Sequence, residues 1–435
     1  MNNYESYKET DIPWLGEIPS HWEIKRANIV FEERVEKVSD KDYEPLSVTK
    51  NGIFKQLANV AKTNNGDNRK KVLKNDFVIN SRSDRKGSSG LSQYDGSVSL
   101  INIVLKIRND NFKFIHYLLK SIPYQEEFYR NGKGIVADLW STNFQSMSSI
   151  FLPIPPISEQ IQIANYLDWK INEIDRLILI EKEQIKELEN LKQKYIDEIY
   201  QNIKSKNFIS LSKIGTFFKG GGFSRENLSD SDYGAILYGD IYTKYNYFFE
   251  ECISKIDENA YFNSKCIDGN VVLFTGSGET KEDIGKSVAY VGTKKIALGG
   301  DIIALKPNKN FSPKFIAYFS NTSNIKAFKH MESTGDIIVH ITLGAIKSIK
   351  IPFITIEEQK DIIKKIDEYI LNLKNLIALI EDKIKYFLSL KQSLIAEVVT
   401  GKIDVRNITI PQYEKVETIF ETDNIDETEV QDYGD

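Results

Sequence analysis

The chain states one unit twice. Residues 153–199 align without a gap on residues 352–398, and 16 of the 47 pairs are identical. Two unrelated amphipathic helices would share apolar spacing. They would not share Glu159-Gln160 with Glu358-Gln359, Asp168 with Asp367, and Leu191-Lys192-Gln193 with Leu390-Lys391-Gln392 at one fixed offset. The echo reaches upstream: Lys113-Phe-Ile-His-Tyr117 matches Lys314-Phe-Ile-Ala-Tyr318, and Gly134 matches Gly335. The expected architecture is therefore two copies of a globular segment followed by a long helix. A tandem pair of this kind predicts a pseudo-twofold object, suited to a pseudo-symmetric partner or to two sites at fixed separation.

Each helix begins after a proline-bearing lead-in. Pro155-Pro156 blocks helix upstream and suits a first turn. In the second copy, Thr355-Ile-Glu-Glu358 fits a capping box, and Gly401 is a natural stop. A seven-residue register runs through both helices. The seam is expected at Ile171, Ile178, Ile185 and Leu188 in the first and at Ile370, Ile377, Ile384 and Phe387 in the second, with Leu177, Leu191, Leu376 and Leu390 widening each stripe. Glu181 falls in the first seam, and Lys192 and Lys391 occupy matching seam positions, where a polar residue fixes register or snorkels. At ~1.5 Å per residue each rod is on the order of 60–70 Å long. Two such rods most simply pack on each other as an antiparallel coiled coil.

The globular segments read as mixed α/β, so the fold class is α+β. Strands are expected at 77–79, 101–105, 235–238, 271–274, 288–291 and 302–305, and a helix at 113–121. The expected organisation is a globular domain over 1–150, a helical spacer over 151–206, a second globular domain over 207–350, a second helical spacer over 351–406, and a disordered acidic tail over 407–435.

With 435 residues there is room for two to four domains. No run of 18 apolar residues spans a membrane. The first residues, Met1-Asn-Asn-Tyr-Glu-Ser-Tyr-Lys8, lack the apolar stretch of a secretory signal. Cys252 and Cys266 form no metal spacing, and reduced thiols in a cytoplasmic protein are expected. The net charge of −5 suits a nucleic-acid binder poorly until its distribution is considered. Eight acids and no Lys or Arg lie between Glu417 and Asp435, so the rest of the chain carries +3. Residues 50–90 hold ten Lys or Arg against three Asp. Such a run is most often a solvated face, but its density also fits a phosphate-facing patch.

Catalytic signals are missing. Residues 278–287 resemble a P-loop but carry Thr280 where glycine is required. There is no Gly-x-Gly-x-x-Gly after a strand and no Asn/Asp-Pro-Pro-aromatic motif of base methyltransferases. The four histidines are scattered, so no metal site is expected. Binding chemistry remains. Ser81-Arg-Ser-Asp-Arg-Lys-Gly-Ser-Ser89, the Gly-rich loop 217–225 and Thr275-Gly-Ser-Gly-Glu-Thr-Lys281 combine cations with small donors. Candidate DNA contacts are Arg69, Lys70, Lys71, Arg82, Arg85 and Lys86 in the first segment, and Lys219, Arg225 and Lys281 in the second.

These residues resemble a known family, the specificity subunits of Type I restriction–modification systems. The resemblance rests on Ile12-Pro-Trp-Leu-Gly-Glu-Ile-Pro-Ser-His-Trp-Glu23, on Pro153-Ile-Pro-Pro-Ile-Ser-Glu-Gln160 and Ile351-Pro-Phe-Ile-Thr-Ile-Glu-Glu-Gln359, on Tyr238-Gly-Asp-Ile241 and Leu298-Gly-Gly-Asp-Ile302, and on the ending 394–405. It covers about residues 10–406. It implies that the globular segments are target recognition domains, each reading half of a bipartite asymmetric double-stranded DNA site. It implies that the helices are spacers that dock two methyltransferase subunits and two motor–nuclease subunits. S-adenosylmethionine, ATP and Mg would sit on those partners, with no cofactor on this chain, which would itself be non-catalytic. The competing reading is a tandem-repeat coiled-coil scaffold that binds protein partners without reading DNA; a fused restriction–modification enzyme is disfavoured by the missing motifs.

Overall fold

The computed structural model describes residues 3–56, 66–134, 140–205, 207–335 and 338–416. The two long helices span Ile157–Gln201 and Ile356–Val399, as the repeat predicts. The chain divides into two compact units. Unit 1 takes Met1–Glu181 with Glu381–Asp435, and unit 2 takes Lys182–Ile380. Each unit thus owns one globular head and a segment of both helices. The expected boundaries at 150, 206 and 350 instead separate heads from rods. Contacts divide the chain differently because each head buries its apolar surface on the rods.

In unit 1 an antiparallel four-stranded sheet runs in the order Ser89–Leu91, Phe77–Asn80, Asn102–Ile107, Phe31–Glu33. A smaller sheet pairs Gly96–Val98, Arg69–Val72 and Lys37–Val38. Helices Phe112–Lys120 and Ile122–Arg130 follow. Asn111 caps the first of them by accepting from the amides of Lys113 and Phe114. The core runs from Trp22 and Phe31 through Phe114 and Phe128 to Leu167, Val398 and Val405. The motif 12–23 therefore works in packing: Ile18 and Trp22 are fully buried beside the end of the second helix. Gly401 stops that helix at φ +76°, and a side chain there would run into Pro19.

Unit 2 repeats the four-strand order as Ser287–Tyr290, Val271–Thr275, Ile302–Pro307, Gly215–Lys219, and adds Phe248–Phe249 in parallel. Helices Pro313–Ser320 and Ser323–Glu332 follow. The second sheet differs: Lys255–Ile256, Leu228–Ile236, Ile296–Leu298 and Cys266–Ile267. The strand expected at 235–238 ends at Ile236. The Asp240 carboxylate accepts from the Leu237 amide at 2.9 Å and opens a short helix, Tyr238–Thr243. Both cysteines are free.

The seam forms, with corrections. In unit 1, Asp175 meets Lys391 at 2.7 Å and Glu181 meets Lys383 at 2.6 Å. Numbers rise on one helix as they fall on the other, so the segments are antiparallel. Ile178 is buried, and Ile171, Ile384 and Phe387 pack beside it. In unit 2, Tyr195 and Tyr369 stack at 3.8 Å, while Ile185, Leu188, Ile370 and Ile377 are half-buried. Leu177, Leu191, Leu376 and Leu390 do not widen the seam; they are 38–48 % exposed. The two matched lysines part ways too. Lys391 reaches across the seam to Asp175, whereas Lys192 pairs with Glu189 on its own helix at 3.8 Å.

The chain just beyond the second helix, expected to be disordered, is ordered to Val416. Residues 406–416 run beside the first helix, where Gln162 donates to the carbonyls of Val405 and Ile408, and Asn172 exchanges hydrogen bonds with Glu414 and Val416. The acidic stretch from 417 lies outside the described residues.

Candidate nucleic-acid interface

Equivalent strands carry equivalent loops. In unit 1 the turn 81–88 joins Phe77–Asn80 to Ser89–Leu91; in unit 2 the turn 276–286 joins Val271–Thr275 to Ser287–Tyr290. A second chain segment braces each turn in the same way. The Thr142 amide donates to Ser81 O and the Ile341 amide to Gly276 O, each at 3.0 Å. The bridges Arg82–Ser141 and Lys133–Ser141 correspond to Ser277–His340 and Thr334–His340. Arg82, Arg85 and Lys86 thus occupy in one head the loop that Lys281 occupies in the other. Neither basic cluster alone reveals that equivalence.

The surroundings revise the picture of a bare positive patch. Arg69 is 6 % exposed, and its guanidinium donates to Ser97 Oγ and O at 2.9 and 3.1 Å. It holds two strands together and offers no surface for a ligand. Lys70 pairs with Glu33 at 3.1 Å, and Lys71 with Glu36 at 2.9 Å while lying over the Tyr43 ring. Arg82 and Arg85 share Asp84, and Lys86 meets Glu126. Most of these acids lie outside the 50–90 window, on elements that only folding brings beside it. The exposed pairs, Arg82–Asp84 and Lys86–Glu126, are worth little, whereas the Lys70 and Lys71 side chains are mostly covered, and Lys70 also donates to Asn102 O at 2.9 Å. Lys70 and Arg82 line one open groove with Leu100, Ile101, Asn143 and Phe144. Asn143 and Phe144 are not marked by the sequence pattern, although the repeat offered a signal: Phe144–Met147 and Leu343–Ser348 are matching short helices capped by Asn143 and Thr342.

In unit 2, Lys219 and Arg225 are exposed on either side of the Gly-rich loop. A capping box of Ser224 and Asn227 fixes the turn Arg225–Asn227. The Arg225 guanidinium lies over Gly239 in the short helix Tyr238–Thr243. Tyr242 of the same helix bonds Thr275 Oγ1 at 2.6 Å and Ser277 O at 3.0 Å, at the base of the turn 276–286. One short helix therefore supports both Arg225 and the loop of Lys281. Lys281 is half-buried and already engaged within the protein. Among the described residues no group of His, Cys, Asp or Glu is arranged to hold a metal, and no helix is long and apolar enough to cross a membrane.

Comparison with known proteins gives one answer. A family model for the Type I restriction modification DNA specificity domain matches twice, over residues 19–190 and 202–386. The chain is 24 % identical to the putative type I restriction enzyme MjaX specificity subunit of Methanocaldococcus jannaschii, over 92 % of this chain and 97 % of that one. It is 26 % identical over 148 residues to the StySPI specificity subunit of Salmonella potsdam, about a third of each. A solved chain from a study of complex assembly and conformational transition in the type I R-M system superposes with TM-score 0.60 at 13 % identity, covering 89 % of this chain and 99 % of that one. With its two matched domains and its two matching four-strand heads, the chain belongs to the Type I restriction–modification DNA specificity family.

Proposed function

We propose that this chain is the non-catalytic reader of a restriction–modification complex, each head reading one half of a bipartite, asymmetric double-stranded DNA site. The observation that carries the reading is the pair of equivalent turns, 81–88 and 276–286, each bearing cations and small donors between equivalent strands. The long helices act as the ruler between half-sites. Their exposed apolar residues, including Leu177, Leu191, Leu371, Leu379 and Leu388, suit the docking of methyltransferase and motor–nuclease subunits, two of each. S-adenosylmethionine, ATP and Mg belong to those partners. The purified chain alone transfers no methyl group, hydrolyses no ATP and cleaves no DNA.

Lys70, Lys71, Arg82, Arg85 and Lys86 in one head, with Lys219, Arg225 and Lys281 in the other, are the proposed DNA contacts. Neutralising a phosphate contact weakens binding to all sequences and lowers the salt slope by ~1. Losing a base contact relaxes one position by about 1–3 kcal/mol. Single-molecule methylation profiling of the assembled complex tests the whole reading. It should return two short half-sequences separated by a fixed non-specific gap. A heptad inserted after Lys192 should change the gap and leave both half-sequences intact. A single uninterrupted site, or half-sequences that change while the gap stays, overturns the reading. Unchanged binding when the complex carries a duplex lacking the profiled site would favour a scaffold that does not read DNA.

A further inference from the structure

Each turn is held from beneath by a lysine that the repeat does not account for. In unit 1, Lys120 is the last residue of Phe112–Lys120. Its ammonium donates to Gly87 O at 3.0 Å, Ser89 O at 3.3 Å and Lys50 O at 2.8 Å. In unit 2, Lys329 lies in Ser323–Glu332, is 1 % exposed, and donates to Gly285 O at 2.7 Å. Gly87 and Gly285 are the same position of the two turns, each two residues before the paired serine, Ser89 or Ser287. Both have left-handed backbones, at φ +83° and +68°. The lysines are not equivalent to each other. They come from different helices of the repeat, and at the repeat offset that pairs Lys113 with Lys314, Lys120 meets Asn321. Two different lysines therefore reach one equivalent carbonyl.

Burying an ammonium is costly, and a methionine of similar length would fill the same space without the cost. Burial holds the Lys120 ammonium down to about 8 and the Lys329 ammonium down to about 7. Two unrelated lysines, Lys120 half-buried and Lys329 fully buried, donate to one equivalent carbonyl, which points to a shared requirement. The requirement both share is the orientation of the turn, since the carbonyl lies just before the returning strand.

Resting on the proposed reading of one half-site per head, we propose that Lys120 and Lys329 are positioning residues for sequence recognition. Each fixes the left-handed glycine that aims its turn, and each governs only the half-site read by its own head.

The test uses the complete complex with its methyltransferase partner, on duplexes defined by profiling the wild type. Lys120→Met and Lys329→Met are compared on the cognate duplex, on duplexes with one base changed in either half, and on a random duplex. The expected result is a loss of about tenfold in cognate-over-mismatch discrimination in one half only, the other half for the other variant. Binding to random duplex stays within about twofold. Gly87→Ala and Gly285→Ala keep the lysine and displace its acceptor; they should reproduce the same split, and they carry the test if a methionine variant folds poorly. Equal loss in both halves, or no loss in either pair of variants, overturns the proposal. A wild type that reads one continuous sequence overturns the two-half reading instead.

Discussion

Glu159 and Glu358 occupy the same position of the repeat, and they do different work. Glu159 is 6 % exposed and accepts from Tyr4 OH at 2.6 Å, Trp22 Nε1 at 2.9 Å and His21 Nε2 at 2.8 Å. Glu358 is exposed and closes a capping box with Thr355, whose amide it accepts at 2.8 Å. The neighbouring positions did not diverge. Gln160 accepts from the Asn111 amide and donates to Pro155 O; Gln359 accepts from the Ser312 amide and donates to Ile354 O. Asp168 holds Lys113 and Tyr117, and Asp367 holds Lys314 and Tyr318. A repeated residue keeps its role where its partners are repeated with it. Gln160 and Asp168 face their own head. Glu159 faces the 4–22 segment, which has no counterpart among the described residues of unit 2.

The largest expected effect breaks this comparison. Glu159→Ala strands two buried donors, on Tyr4 and Trp22, and should cost about 3 kcal/mol. Glu358→Ala should lower stability much less. All four tryptophans, at 14, 22, 140 and 169, lie in unit 1. Indole fluorescence during urea unfolding should therefore shift strongly for the first variant and hardly at all for the second. Equal shifts would mean that burial of Glu159 contributes nothing.

Next, Tyr117→Phe and Tyr318→Phe should each cost about 1.5 kcal/mol, because each removes one short hydrogen bond to a carboxylate. Hydrogen exchange in Phe112–Lys120 and Pro313–Ser320 measures the two separately. A difference of more than about twofold in the free-energy loss would show that the two aspartates are not equivalent.

Lys391→Met should cost about 1 kcal/mol, since it leaves Asp175 without its partner across the seam. Lys192→Met should be neutral or stabilising, because its lysine only meets Glu189 of its own helix. Denaturation of the two variants side by side decides whether the matched lysines have parted in energy as well as in geometry.

A further expected effect is a slope with pH. Burial pushes the Lys329 ammonium down to about 7 from 10.5, with Lys326 adding to the shift and Asp283 opposing it. Between those values the folded state binds fewer protons than the unfolded chain, so stability should rise with pH from about 7 to about 9.5. Lys329→Met should remove that rise. Urea midpoints followed by circular dichroism at pH 7 and 9.5 would show it as a gap between variant and wild type that changes with pH.

The long helices, the capping box and stop of the second, and the row through Ile178 were legible because they are periodic and local. Ile178, Thr355 and Gly401 reveal their roles through neighbours a few residues away in sequence. The candidate interface was legible only in outline. The window 50–90 exposed its cations but not Glu33, Glu36 and Glu126, which strand pairing and helix packing bring to them. It also counted Arg69 as surface, although pairing of Arg69–Val72 with Gly96–Val98 buries it. By itself the sequence determined that there are two copies, where the rods begin and where the second stops, and which family the motifs resemble. Only the tertiary structure decided that the turns 81–88 and 276–286 join equivalent strands, and that Lys120 and Lys329 reach equivalent carbonyls, those of Gly87 and Gly285. Helix periodicity and capping are encoded within a turn or two of the chain, whereas charge pairing and the support of a loop depend on contacts between segments tens of residues apart.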